Sequence, residues 1–87
     1  MNVESLKHIL VTEQIPRRCY SFDGAGGGDC FALEFISSRW VISYYSERGT
    51  RRKEGVFTSE DEACRAMFNV MKKIVQRETG RTIALNV

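Results

Sequence analysis

Residue types that commonly build metal sites, disulfide frameworks and catalytic centres are scarce in this sequence. It contains one histidine, one proline and three cysteines, and no two cysteines form a CxxC pair. Zinc sites use closely spaced Cys and His ligands, so the sequence predicts no metal and no bound cofactor. Because an odd number of cysteines cannot all pair within one chain, we expect free thiols in a reducing compartment.

Long apolar runs are also missing. No segment approaches the roughly 20 apolar residues of a membrane-spanning helix, and the N-terminus has no apolar run of signal-peptide length. These absences predict a cytoplasmic protein with no membrane partner.

The size and charge of the chain limit its architecture. Eighty-seven residues predict a single domain, 1–87. Such a chain buries only about 60–65% of the surface that its unfolded form exposes, so we expect a thin core built on one sheet. The formal net charge of +2 is too small to predict a nucleic-acid partner by itself.

A short helix is predicted over residues 2–14. Val3, Leu6 and Leu10 share one face, Asn2 is the expected N-cap, and a proline follows at position 16. This pattern favours an amphipathic helix that packs on the rest of the domain.

A longer helix over residues 59–78 has the strongest sequence signal. Ser59 followed three residues later by Glu62 is a capping-box pattern, and Gly80 fits the C-terminal stop. The apolar residues of one helical face are Ala63, Ala66, Met67, Val70, Met71, Ile74 and Val75. Each large apolar side chain contributes about 1.5–3 kcal/mol when buried, so this helix is the largest expected source of stability.

Four β-prone segments lie between the helices, at residues 17–22, 30–36, 40–46 and 51–57. Parallel neighbours need crossovers of about a dozen residues or more, so the short connections predict an antiparallel meander. The expected fold is α+β: a helix, a four-stranded antiparallel meander sheet and a long C-terminal helix, with both helices packed on one face. The segment 81–87 is either a frayed tail or a short extra strand.

The loop 23–29 contains four glycines but does not predict a phosphate site. Phosphate loops lead into a helix and carry Lys followed by Ser or Thr, whereas this loop leads into a strand. It is either a hairpin connection or a recognition loop flanked by Asp23 and Asp29.

The other face of the sheet is expected to be open and available for binding. Next to it lies a basic group with two tyrosines close by: Tyr44, Tyr45, Arg48, Arg51, Arg52 and Lys53. Three interpretations remain: a solvated sheet edge, a protein-contact patch, or a small nucleic-acid-binding module that uses the basic hairpin 48–53.

Catalysis has little support in the sequence. A general base needs a partner within reach, and near His8 only Ser5 and Glu4 are visible by spacing. A cysteine nucleophile would also need a base in a cleft. We therefore predict that the protein is not an enzyme, unless the fold gathers His8 with a cysteine or a carboxylate in one pocket.

Two segments resemble a known family. YYSERG at residues 44–49 and FTSEDEAC at residues 57–64 are similar to small bacterial immunity proteins encoded beside polymorphic toxins, including contact-dependent growth-inhibition toxins. Members of that family run from a strand through a Glu-Arg-Gly turn into a second strand, then into a helix that opens with a Phe-x-Ser/Thr-Glu-x-Glu-Ala pattern. The resemblance covers roughly residues 20–75.

The resemblance implies binding without catalysis. An immunity protein contacts its cognate toxin domain directly and blocks the active site or substrate surface. The expected contact residues are Tyr44, Tyr45, Glu47, Arg48 and Arg51, followed by Asp23 and Asp29. Inhibitors of basic nucleases are usually acidic, whereas this chain is slightly basic, so the toxin is not a basic nuclease or meets a local acidic patch. An edge strand can pair with the same strand of a second copy, so the sequence does not exclude a homo-oligomer.

Overall fold

The structure, a computed structural model, describes residues 1–24 and 28–86. The elements are α1 (Val3–Thr12), a 3-10 turn (Arg17–Cys19), β1 (Tyr20–Ser21), β2 (Cys30–Ile36), β3 (Arg39–Tyr45), β4 (Arg51–Phe57) and α2 (Glu60–Thr79). The fold is α+β, with one four-stranded sheet followed by the C-terminal helix. The loop and tail predictions fall partly on residues 25–27 and 87, which lie outside the described residues.

The sheet is mixed, so the predicted all-antiparallel meander is wrong at its first strand. The order is β1-β2-β3-β4; β2–β3 and β3–β4 are antiparallel, but β1 runs parallel to β2. After Pro16 the chain forms the 3-10 turn, in which Cys19 N–H donates to the Pro16 carbonyl (3.0 Å). Only two residues of the predicted strand 17–22 remain to pair. A parallel connection must span the length of the first strand to reach the start of the next. Because β1 has only two residues, the connection 22–29 is long enough without the usual crossover of about a dozen residues.

Local hydrogen bonds set both ends of α1. The Asn2 side chain accepts from Ser5 N–H (2.8 Å), as expected of an N-cap. At the other end, Ile15 N–H donates to the Leu10 carbonyl (3.0 Å) and Gln14 has a φ of 58°, which together form a Schellman motif. Ile15 and Leu10 are both buried, so this motif ends α1 with an apolar contact.

The capping residues of α2 are those that the sequence indicates. Ser59 Oγ accepts from Glu62 N–H (3.2 Å), and Gly80 closes the helix with a φ of 75°. The buried residues of α2 are Ala63, Cys64, Met67, Phe68, Met71, Ile74 and Val75. They pack on the side of the sheet that holds Leu33 and Ile42, which pair across β2 and β3. The same apolar cluster includes buried side chains of α1, so both helices lie on one face.

Residues 81–86 take neither of the forms that the sequence left open. They contain no helix or strand, yet Ile83 is buried in the core. Lys72 Nζ donates to the Leu85 carbonyl (3.0 Å), and an Arg81 Nη donates to the Glu13 carbonyl (2.7 Å). These contacts hold the segment against the end of α1 and the middle of α2.

The turn between β2 and β3 is strained, and relieving it is expected to stabilise the fold. Ser37 and Ser38 have φ values of 51° and 64°, as in a type I′ turn, where Asn-Gly is preferred. We expect Ser38→Gly to raise the free energy of unfolding by about 1 kcal/mol, measured by urea denaturation. Ser5→Gly, inside α1, is the control and should lower it. Destabilisation by Ser38→Gly would contradict this account of the turn.

The first residues of the chain are bound to the first turn of α2. The Met1 ammonium is hydrogen-bonded to Asp61, and Val3 N–H donates to Glu60 Oε2 (2.8 Å). The hydrogen bond from the Met1 ammonium, followed by the one from Arg65, lowers the pKa of Asp61. The carboxylate therefore links the start of α1 to α2 while it is ionised.

Asp61→Asn is expected to lower the Tm at neutral pH and to have less effect in acid. Because the folded-state pKa of Asp61 lies below its unfolded value of about 3.9, the stabilisation is fully present above that value. It is lost as the pH falls through the folded-state pKa. Thermal unfolding of the parent and the variant from about pH 7 to about pH 3 measures this change. Glu62→Gln, an exposed carboxylate of the same turn, is the control, and a Tm difference independent of pH would contradict the prediction.

Candidate binding surface

One side of the sheet, here named the open face, carries neither helix within residues 1–24 and 28–86. Its strand residues are Cys30, Ala32, Glu34 and Ile36 of β2, Arg39, Val41, Ser43 and Tyr45 of β3, and Arg51, Lys53 and Val56 of β4. The basic side chains of this set are exposed, whereas Ala32 and Ser43 have no exposed area. Long polar side chains at the strand ends therefore surround a floor of small residues.

Two hydrogen bonds on the open face link β3 to β2 and to β4. The Tyr45 hydroxyl donates to Glu34 Oε1 (3.0 Å), and Arg51 Nε donates to Ser43 Oγ (3.1 Å). Partial burial, followed by the hydrogen bond to Glu34, raises the pKa of Tyr45. The phenol therefore stays protonated at neutral pH and keeps donating to the carboxylate.

Tyr44 lies on the opposite side of β3, facing the helices. Its ring packs on Phe31 with the centroids 5.0 Å apart, and the Arg52 guanidinium lies 5.3 Å from its centroid. Burial, followed by the charge of Asp29, raises the pKa of Tyr44. Asp29 also accepts from Glu47 N–H (2.8 Å), which ties the loop before β2 to the turn after β3.

A cleft of about 440 Å³ opens beside Tyr44 at the C-terminal end of α2. It is lined by Arg18, Cys19, Gly28, Asp29, Phe31, Tyr44, Ile74, Arg77 and Glu78. Arg18 and Glu78 form an ion pair across it (3.6 Å). The charges of its lining residues balance, so the cleft has no clear preference for an ionic ligand.

Of the residues considered for catalysis, Cys19 lines the cleft beside Tyr44, where its thiol donates to Glu78 Oε2 (3.8 Å). Cys64 is fully buried, and its burial raises the thiol pKa to about 11. Burial, followed by the charge of Glu78, raises the pKa of Cys19 as well. His8 is exposed on α1. Among the described residues, no group of three or more His, Cys, Asp or Glu side chains is placed to bind a metal ion.

The predicted contact residues lie in two places. Tyr44, Tyr45, Glu47, Arg48, Arg51 and Asp29 are gathered around the β3–β4 hairpin and the loop bound to it. Asp23 is separate, because it accepts from Ser21 of β1, at the other edge of the sheet (3.1 Å). Gly49 adopts a φ of 86° in the hairpin turn, a conformation that glycine adopts readily.

Sequence reasoning missed three contacts that order this surface: Tyr45 with Glu34, Arg51 with Ser43, and Tyr44 with Arg52. Strand alternation shows which residues of one strand share a side of the sheet. It does not show which residue of β2 lies near Tyr45 of β3. A register shift between Ile42 and Ser43 further alters the pairing with β4. Only the register of the assembled sheet identifies these partners.

The chain was also compared with known proteins. No protein-family model matches it, and neither a curated protein nor a solved structure does. In the described part of the chain, no helix combines the length and the apolar character needed to cross a bilayer.

Proposed function

We propose that this chain is an immunity protein, a cytoplasmic antitoxin that neutralises a cognate bacterial toxin domain by direct contact and without catalysis. The observation that carries the proposal is the pair Tyr44 and Tyr45 at the end of β3. They face opposite sides of the sheet, and each is held by a charged neighbour, Arg52 for Tyr44 and Glu34 for Tyr45. A partner that surrounds this hairpin can therefore contact an aromatic ring on each side of the sheet.

The arrangement suits tight binding because the contact groups are already ordered. Immobilising a flexible side chain at an interface costs about 0.5–1.5 kcal/mol, and side chains fixed on strands avoid much of that loss. Tyr and Arg are also the types most often found as interface hot spots. The exposed Arg48 at the turn adds a charge that can speed the capture of a toxin.

The nucleic-acid alternative fits the same surface less well. Single-stranded nucleic acids stack successive bases on aromatics of one face, whereas Tyr44 and Tyr45 lie on opposite faces. Arg52, in the middle of the basic hairpin, pairs with Glu54 (2.6 Å) and lies over the Tyr44 ring. Its charge is therefore partly neutralised before any phosphate arrives.

Co-expression with the toxin domain encoded by the neighbouring gene tests the proposal. Bacteria that make both proteins should grow like cells without toxin, and the two purified proteins should elute together in size-exclusion chromatography. A toxin domain from an unrelated system is the control and should still arrest growth. If the cognate domain neither binds the purified chain nor is neutralised by it, the proposal is wrong.

A further inference from the structure

The charge of the open face indicates what kind of surface it contacts. Its strands expose Arg39, Arg51 and Lys53, and their one carboxylate, Glu34, accepts the hydrogen bond from Tyr45. Among the described residues the face is therefore basic, because three cations outnumber its one carboxylate. Such a surface complements an acidic one.

Arg51 is held in a geometry suited to a carboxylate. Its Nε donates to Ser43 Oγ (3.1 Å), and Ser43 is fully buried in the central part of the sheet. The exposed guanidinium is thus anchored through Nε and lies beside the Tyr45 side chain, and its two Nη groups, here named the Arg51 fork, are the donors offered to a ligand. Bidentate Arg–carboxylate pairs are stronger and more directional than single charge contacts.

The neighbours of Arg51 support this arrangement. Tyr45, its partner across the β3–β4 pair, interacts with both Arg51 and Glu34. Lys53 follows on the same side of β4, opposite Ser43. A second cation therefore stands next to the fork, and the ring of Tyr45 limits the directions from which a ligand approaches.

We infer that the open face receives an acidic surface of the toxin domain, with one partner carboxylate bound by the Arg51 fork and others placed near Lys53 and Arg39. This inference rests on the proposed function, because it specifies the chemistry of that same partner. Ser43 is a positioning residue, since it orients Arg51 without reaching the partner. A nucleic-acid strand fits less well, because Tyr45 is the one aromatic among the strand residues of the open face, whereas successive bases stack on several.

Binding to the cognate toxin domain tests the fork, measured by isothermal titration calorimetry. Arg51→Ala should raise the Kd about tenfold or more, and Arg51→Lys should recover little of it, because Lys cannot form a bidentate pair. Ser43→Ala should raise the Kd several-fold without lowering the Tm. Arg65→Ala, which removes the same charge from α2, is the control and should bind like the parent. If the parent binds and Arg51→Ala binds equally well, this inference fails while the proposed function stands.

A second measurement does not depend on the toxin. In NMR titrations of the chain, poly-L-glutamate should shift the Arg51 Nε–Hε and Tyr45 amide signals, and Arg51→Ala should abolish the Tyr45 shift. A mixed-sequence oligonucleotide at the same charge concentration should shift these signals less. Stronger shifts with the oligonucleotide, lost steeply as salt rises, would assign the face to nucleic acid and overturn the inference. No shift with poly-L-glutamate at low salt would also overturn it.

Discussion

Tyr45→Ala is expected to weaken binding of the cognate toxin domain by at least about 2 kcal/mol, roughly thirtyfold in Kd. Tyr45 is the aromatic side chain at the hairpin end of the open face, and its hydroxyl donates to Glu34. Removing the Tyr45 side chain deletes the aromatic contact. It also leaves the Glu34 carboxylate without its hydrogen-bond donor, so that this carboxylate repels an acidic partner more strongly. Both effects act in the same direction.

Tyr45→Phe separates the two contributions, because it keeps the ring and removes only the hydroxyl. We expect it to recover most of the aromatic contact but to leave Glu34 without its donor, so its Kd should lie between those of the parent and Tyr45→Ala. Phe35→Ala, an aromatic substitution at the other end of the sheet, is the control and should leave the Kd unchanged. If Tyr45→Ala and Arg48→Ala both bind toxin and protect cells like the parent, the hairpin is not the contact surface.

Phe68→Ala is expected to lower the free energy of unfolding by about 3–5 kcal/mol, the largest effect on stability that we predict. Phe68 lies in the middle of α2, is 0% exposed and belongs to the one apolar cluster that joins both helices to the sheet. A domain has a total stability of about 5–15 kcal/mol, so this loss removes a large share of it. The variant should unfold at a much lower urea concentration, followed by circular dichroism.

Phe35→Ala is the matched control for this substitution as well. Phe35 is 60% exposed and contacts Trp40 with the ring centroids 4.8 Å apart. Its truncation should cost about 1.5 kcal/mol or less, the size of one aromatic pair. Equal losses for the two phenylalanines would mean that burial against α2 is not the main source of stability.

Much of the fold follows from signals that act over a few residues. Ser59 and Gly80 mark the ends of α2, and the short connections around β3 favour its antiparallel pairing with β2 and β4. The first strand was mispredicted because the alternation in residues 17–22 is weak, and the turn after Pro16 takes half of that segment. The parallel direction of β1 also depends on a partner eleven residues further along the chain, which local patterns do not report.

The sequence by itself determined the helices, the two hairpins and the placement of Tyr44 and Tyr45 on opposite sides of β3, because capping and strand alternation are local properties. Only the tertiary structure decided that β1 runs parallel to β2 and that residues 81–86 lie against the helices. It also decided that Glu34 and Ser43 hold Tyr45 and Arg51 in place. These features join residues that are far apart in the chain or on different strands, so they exist only once the register of the sheet is set.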